Sequence, residues 1–442
     1  MKHPILTVLA LVLGFVSTVR ADAPKVVKAI PDNGQNDVDP AKVRELRVVF
    51  DQPMDVGGRS IVGGGETFPK FIGKPHWEDK KTTIVWPMKL EPDHDYWLSI
   101  NNETFANFKN AKGESAEPYP ISFHTKAAGA ATQPATAAAA DDNRAAVKIL
   151  KQAIDEDYSY RDRLKVDWGA RFKEFEPRLI AATTPMEFAK QAAALLSAAK
   201  DIHLNLRVGE QFVGTHRTGT SPNFNFAVLK KLVPGWTEHE GGVVTGRYDD
   251  GIAYVMIPSW SDDQRKGLEA VFAALPDAKK LIIDVRPNGG GDELMAREVA
   301  GGFIDEPKVY SRNTIRRNGE FAGPYDRAVE PNKARPAFKG QVVVLMGPKN
   351  VSSNESFLLM MHQVKGCKLI GDKSYGSSGC PRPVELGNGV TALVPSWVDM
   401  QPDGTEIEGR GVTPDITVKA TLAELQKSDP VLDEALKQLR RK

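Results

Sequence analysis

The chain has 442 residues, enough for two or three domains with separate cores. It is 41% hydrophobic and 26% charged, as in ordinary folded soluble proteins, and its net charge of +1 argues against a nucleic-acid or strongly acidic partner. Only two cysteines, Cys367 and Cys380, are present, so no zinc-type cysteine spacing is possible. Residues 1–21 read as an export signal. Lys2 and His3 precede an apolar run from Ile5 to Val16, and Val19-Arg20-Ala21 offers a small-residue cleavage site before Asp22. The run is short for a membrane span and no later apolar stretch reaches spanning length. The expectation is a mature protein outside the cytoplasm, periplasmic or secreted, with no membrane span after signal cleavage; an uncleaved signal anchor is the alternative.

From 24 to 126 short strands alternate with turn residues, as in Leu46-Arg-Val-Val-Phe50, Thr83-Ile-Val-Trp86 and Tyr96-Trp-Leu-Ser-Ile100. Apolar and polar positions alternate in several of them, which predicts a small β-sandwich. Its Pro31-Asp-Asn-Gly34, Phe50-Asp-Gln-Pro-Met54 and Leu90-Glu-Pro-Asp93 resemble bacterial Ig-like modules, a resemblance that implies contact with another surface or protein rather than chemistry. An Ala-rich linker is expected over 127–142. A helical subdomain follows over 143–202, with Val147, Leu150 and Ile154 on one face, then Trp168, Phe172 and Phe175. Its third helix opens at Thr184-Pro185-Met186-Glu187, a capping box with proline at the first helical position. Asp201 to Val208 then reads as an alternating strand carrying His203.

Over 203–420 strands and helices alternate, predicting an α/β core with a mostly parallel sheet. Leu281-Ile-Ile-Asp284 is a buried strand that runs into Gly289-Gly290-Gly291, where backbone N–H groups can face a ligand. The run lacks phosphate-loop spacing, and Asp292-Glu293 would repel a phosphate. An oxyanion site and a structural turn both remain open. The apolar run Val342–Met346 leads through Gly347-Pro348 to a helical pattern, so Ser352 lies between a buried strand and the first turn of a helix. A nucleophilic hydroxyl gains there from free N–H groups and the helix dipole; a plain helix cap is the competing explanation. Gly387-Asn388-Gly389 predicts a hairpin, and helices close the chain over 421–442.

Four motifs, Asp284-Val-Arg-Pro-Asn-Gly-Gly-Gly291, Ser352-Ser-Asn-Glu355, Leu369-Ile-Gly-Asp-Lys-Ser-Tyr-Gly376 and Glu408-Gly-Arg-Gly-Val-Thr-Pro-Asp415, occur in one order. Together they resemble the C-terminal processing and tricorn-core-like serine peptidases. The resemblance implies a crotonase-like α/β core with Ser352 as nucleophile and an oxyanion hole from the N–H groups of Ser353 and a glycine of 289–291, foremost Gly290. In the processing branch a lysine follows the glycine matching Gly376; this chain has Ser377 there, and the nearby Lys373 aligns with a non-catalytic position. The tricorn-like branch uses a histidine from the end of the upstream helical region and a late acid, which implies His203 and Glu408. His216 is the reserve base, and Glu406 or Asp403 the reserve acids. The segment between Val208 and Asp250 is too short for the PDZ module usual in the processing branch.

The sequence thus predicts a multidomain chain: an N-terminal Ig-like β-sandwich, a helical subdomain and an α/β crotonase-like peptidase core. The function it implies is an exported serine endopeptidase acting on peptide or unfolded protein, with no metal or organic cofactor. A catalytically inactive peptide- or surface-binding protein and an esterase using the same serine are the alternatives. Export also makes a Cys367–Cys380 disulfide plausible, worth about 3 kcal/mol for so short a loop.

Overall fold

Continuous apolar runs become the parallel strands of the central sheet, because a strand covered on both faces has no use for polar alternation. Lys280–Asp284 pairs in parallel with Ile252–Met256 on one side and Gln341–Met346 on the other. Lys368–Gly371 and Ile416–Thr417 extend the sheet in parallel, while Val244–Arg247 and Thr237–Glu238 add antiparallel strands at the opposite edge. This is a computed structural model, and it describes residues 23–102, 104–126, 136–216, 218–274 and 277–441. The expected export signal lies outside those residues.

Alternate residues of each strand serve opposite faces. Val255, Ile283, Val344 and Leu369 pack under the helices Asp262–Ala274, Glu293–Gly301 and Ser353–His362, with Trp260 and Phe357 in the same core. Tyr254, Ile282, Val343, Leu345 and Ile370 face the other way, onto Leu229 and the apolar side of the helix Pro430–Arg440. A second, antiparallel sheet runs Gln211–Val213, Asn205–Val208, Thr391–Pro395, Pro381–Glu385. It shares a core with the helices Ala137–Glu156, Trp168–Ile180 and Pro185–Leu196 through Leu150, Phe172, Phe188, Leu206 and Ala392. The loop after Lys368–Gly371 therefore leaves the central sheet and enters the second one, bridging the two. In the N-terminal part, two sheets close on one core built from Leu46, Trp86, Leu98, Phe108 and Phe123.

Several expectations are corrected. The linker expected over 127–142 is shorter, since a helix begins at Ala137 with the Thr136 side chain accepting the Ala139 N–H; alanines carry high helix propensity once a cap is supplied. Asp201 to His203 form a turn, and the strand starts only at Asn205, because the Asp201 side chain accepts the His203 N–H. A long hairpin, Lys308–Arg317 with Glu320–Val329, was not expected. Asn318 and Gly319, both at positive φ, make its turn, and the Asn-Gly pair was its sequence signal. Cys367 and Cys380 are separate thiols. Cys367 is buried just before the strand Lys368–Gly371, whereas Cys380 is exposed beyond the loop that follows it, so strand and loop carry the pair apart. Burial pushes the Cys367 thiol up to about 12.

The Asp284 and Arg286 of the first motif are structural. Arg286 Nη2 donates to Asp284 Oδ2 at 2.6 Å and Nη1 to Asp429 Oδ1 at 2.8 Å, all three side chains being essentially inaccessible. Asp429 also caps the helix Pro430–Arg440. The end of the glycine-bearing strand is thereby tied to the last helix.

Candidate active site

The carboxyl ends of the central parallel strands deliver the residues 287–291, 347–352 and 372–378 to one edge of the sheet, where open α/β sheets hold their ligands. Asn350 locks two of these segments together: its Oδ1 accepts the Gly347 N–H, and its Nδ2 donates to the carbonyls of Val285 and Asn288. Asn354 is likewise structural, accepting the Trp260 indole N–H at 3.0 Å.

Ser352 occupies the N-cap position of the helix Ser353–His362, but its hydroxyl does not cap that helix. Among the described residues its Oγ has no hydrogen-bond partner. Its backbone sits at φ 58°, ψ −135°, a region that disfavours side chains. The conformation is held by the Ser352 N–H donating to the Ser377 carbonyl at 2.9 Å and by the Glu355 N–H donating to the Ser352 carbonyl at 2.8 Å. Gly290, at φ 99°, lies directly against Ser352; a Cβ there would come 2.9 Å from both the Ser352 Cβ and the Val351 carbonyl. The Gly290 N–H itself donates to Asn288 Oδ1 at 2.8 Å. The Ser353 hydroxyl donates to the Gly291 carbonyl at 2.7 Å, and the Ser353 N–H is unengaged among the described residues.

His203 reaches this cluster from the turn just before the strand Asn205–Val208 of the second sheet. Its Nδ1 is 3.0 Å from Ser377 Oγ and 3.9 Å from Asp201 Oδ1, and no hydrogen bond joins it to Ser352. Asp201 is fully buried and also accepts the Tyr158 hydroxyl at 3.0 Å. Burial lowers the His203 pKa against the opposing pull of Asp201, which favours a neutral imidazole.

The loop carrying Ser377 hangs on Glu355. The two carboxylate oxygens accept the Gly376 and Ser377 N–H groups at 2.8 and 2.9 Å, and Oε1 also accepts the Ser374 hydroxyl at 2.5 Å. Burial still outweighs these donors and pushes Glu355 up to about 8. Glu408 is brought alongside by Gly376, whose φ of 87° and close packing on Ile407, Arg410 and Gly411 leave no room for a side chain. Glu408 accepts the Ser378 N–H at 2.9 Å and lies 3.4 Å from Arg163 Nη2. Burial and then the neighbouring Asp201 push its carboxyl up to about 8. No hydrogen bond joins Glu408 to His203; the carboxylate beside the ring is Asp201.

Ser352, Ser353, Gly290 and His203 are therefore brought together, with Glu408 one hydrogen-bond layer behind. The other candidates stand apart. Lys373 is exposed in the loop, and Asp403 and Glu406 are exposed on the turn before Ile407. His216 is half-buried and lines a cavity of about 570 Å³ that it shares with Tyr96, Trp97 and His124 of the N-terminal part. Burial lowers its pKa too. Sequence reasoning gave no role to Asp201, Ser377 or Glu355. The Asp-x-His spacing was a signal for Asp201; for Ser377 the only signal was a missing lysine.

Residues 251–418 match the Peptidase family S41. The carboxy-terminal processing protease CtpA of Bacillus subtilis (strain 168) is 26% identical over 247 residues, 55% of this chain and 48% of that protein. A carboxy-terminal-processing protease of Bartonella bacilliformis is 23% identical over 197 residues, 43% of this chain and 44% of that protein. The chain thus spans about half the length of these curated relatives. Among solved structures, one from Parabacteroides merdae ATCC 43184 superposes with a TM-score of 0.58 at 24% identity, covering 68% of this chain and 97% of that one. Mature CPAF superposes with a TM-score of 0.51 at 11% identity, covering 69% and 97%. With the strand-end cluster around Ser352 inside the matched segment, this chain carries a domain of Peptidase family S41 and is a homologue of the carboxy-terminal processing serine proteases.

Proposed function

We propose that this chain is an exported serine endopeptidase that cleaves peptide bonds in peptides or unfolded proteins. The observation that carries the reading is the Ser352 hydroxyl, at the N-cap of a helix yet not capping it, on a backbone in a costly conformation. Strain at such a position costs on the order of 1–3 kcal/mol and persists where the surroundings over-determine it. The helix dipole and the unengaged Ser353 N–H favour negative charge beside Ser352 Oγ.

Ser352 Oγ attacks the peptide carbonyl while His203 takes its proton. The carbonyl oxygen, now carrying the negative charge, is met by the Ser353 N–H and by the glycine run, with Gly290 sharing its N–H with Asn288. His203 then returns the proton to the departing amine, and water releases the acyl group by the reverse path. His203, partly accessible but desolvated enough that its pKa is lowered and the neutral imidazole favoured, is suited to accept a proton. Asp201 stabilises the imidazolium by proximity, and Glu408, its carboxyl raised to about 8, stands behind as a supporting acid that gains negative charge only as pH approaches that value. The N-terminal part, with two sheets on one core, reads as an Ig-like module that positions the enzyme against another surface. Residues 1–21 supply the export signal. Among the described residues no helix is long and apolar enough to cross a membrane.

One observation favours a second reading, a binding protein on a peptidase shell: Ser352 Oγ makes no hydrogen bond to His203. Catalytic hydrogen bonds are often loose without substrate, so labelling decides. Wild type should react with a fluorophosphonate and hydrolyse an unstructured protein. Ser352→Ala should lose labelling and at least roughly a thousandfold of the hydrolysis rate. Hydrolysis retained in Ser352→Ala would remove the serine from the mechanism, and a wild type that neither labels nor hydrolyses would leave the binding reading.

A further inference from the structure

A cavity of about 570 Å³ lies between the N-terminal part and the second sheet, within the size range of ligand sites. One wall is the outer face of an N-terminal sheet. Asp95–Ile100 and Tyr119–Thr125 pair there with Trp97 opposite Ser122 and Asp95 opposite His124, and these four residues line the cavity. Alternation sends Tyr96 and Phe123 into the core behind them. A second wall is the helix Pro185–Leu196, through Met186, Lys190 and Ala193. The third is the strand Gln211–Val213 with the chain that follows it to His216. The charges along these walls are met from within: Lys190 is paired with Asp93, and His124 Nδ1 lies 3.0 Å from Asp95 Oδ1. Burial lowers the His216 pKa and favours its neutral ring. The walls therefore call for no ionic ligand.

What the cavity leaves unmet is a sheet edge. Gln211–Val213 is the terminal strand of its sheet, bonded to Asn205–Val208 alone. Gly209 and Glu210 form a two-residue turn, with Gly209 at φ 57°. The flanking pair Val208–Gln211 therefore exchanges both backbone bonds, and Phe212 is left with its N–H and C=O directed off the edge. No strand pairs with them among the described residues. The cavity meets both sides of this strand: Val213 packs toward the helical core, and Phe212, on the opposite face, is 62% exposed. It thus wraps the edge. We propose that this cavity is a peptide-binding site separate from Ser352. An extended segment adds to Gln211–Val213 as a further strand, hydrogen-bonding Phe212, while its side chains pack on Trp97, Met186, Ala193 and Phe212. Main-chain bonds supply the affinity, so many sequences are accepted. That the peptide is a stretch of the substrate rests on the peptidase reading; that the cavity takes an extended peptide does not. A substrate held there stays at high local concentration for Ser352 after each cut.

The test uses the full chain carrying Ser352→Ala, so that no probe is cut. The probe is a fluorescein-labelled peptide of alternating leucine and serine, followed by fluorescence anisotropy. A copy N-methylated at alternate residues keeps the side chains and blocks the backbone donors of one edge. The expected result is saturable binding of the first peptide, binding weaker by roughly tenfold or more for the methylated copy, and slowed amide exchange over 211–214 when peptide is bound. Trp97→Ala and Phe212→Pro, on opposite walls, should each weaken binding by roughly tenfold or more; proline is tolerated at a sheet edge. The exchange measurement needs neither of these variants to fold. Equal binding of the two peptides, or unchanged exchange over 211–214, would overturn the proposal. So would exchange that slows with protein concentration in the absence of peptide, which would assign the edge to a second copy of the chain. Failure of the peptidase reading looks different: a wild type that neither labels nor hydrolyses, while Ser352→Ala still binds the peptide at Phe212, keeps the site and loses only the substrate as its source.

Discussion

At the scale of the residue, Ser352 exchanges stability for a free hydroxyl. Glycine tolerates its positive φ without the steric penalty of a Cβ. Ser352→Gly is therefore expected to stabilise the folded protein by about 1 kcal/mol, part of the strain relief being offset by the greater flexibility of unfolded glycine. Urea denaturation of the two proteins side by side measures this, and a destabilised Ser352→Gly would mean that the backbone stores no strain at that position. The position of Ser352 between strand and helix was legible in the sequence, because a continuous apolar run followed by Gly-Pro and a helical pattern leaves little else. The hydroxyl's freedom from capping was not. It depends on a positive φ that the Ser377 carbonyl helps to hold by accepting the Ser352 N–H, a partner 25 positions away that no local pattern announces.

At the scale of the element, the glycine-bearing strand is anchored by Arg286 rather than by its apolar residues alone. Arg286→Ala would leave Asp284 and Asp429 buried and facing no cation, which should cost about 3–5 kcal/mol in chemical denaturation. A loss below about 1 kcal/mol would show that the two carboxylates relax into solvent or take up protons freely. The strand order of the central sheet follows from apolar runs alternating with helical ones, so it was readable in advance. The clamp was not, because Asp284-Val-Arg286 looks like part of a ligand loop and Asp429 looks like a routine cap. The missed hairpin, Lys308–Arg317 with Glu320–Val329, has a different cause. Much of its second strand is exposed, so its side chains do not show the alternation that marks a half-buried strand, and only Asn318-Gly319 betrays it.

At the scale of the whole molecule, two buried carboxyls give stability a pH dependence of definite sign. Glu355 and Glu408 are both raised from 4.5 to about 8. Between those values the folded protein holds protons that the unfolded chain has released. Stability is therefore greatest on the acid side of this window and falls as pH rises from about 5 to about 8. The urea midpoint should decline over that range, and Glu408→Gln should flatten the decline. A midpoint that rises with pH would show that both groups are ionised in the folded state. The arrangement of the parts was only partly visible beforehand: composition marks the linker region, but the packing of the helical part on the hairpin Pro381–Glu385/Thr391–Pro395 is long-range, and that packing carries His203 to Ser377.

The clamp at Arg286 also imposes an order in time. Arg286 and Asp429 are separated by 143 positions, and synthesis makes the arginine long before its second counter-charge. Until the segment around 429 has emerged, Arg286 is paired with Asp284, but its Nη1 lacks the carboxylate that accepts from it and is a donor short of its charged partner in a dry interior. The helix Pro430–Arg440 is thus the one that completes the clamp behind the cradle of Ser352, and a nascent chain with its serine already made lacks that clamp until this helix has been synthesised.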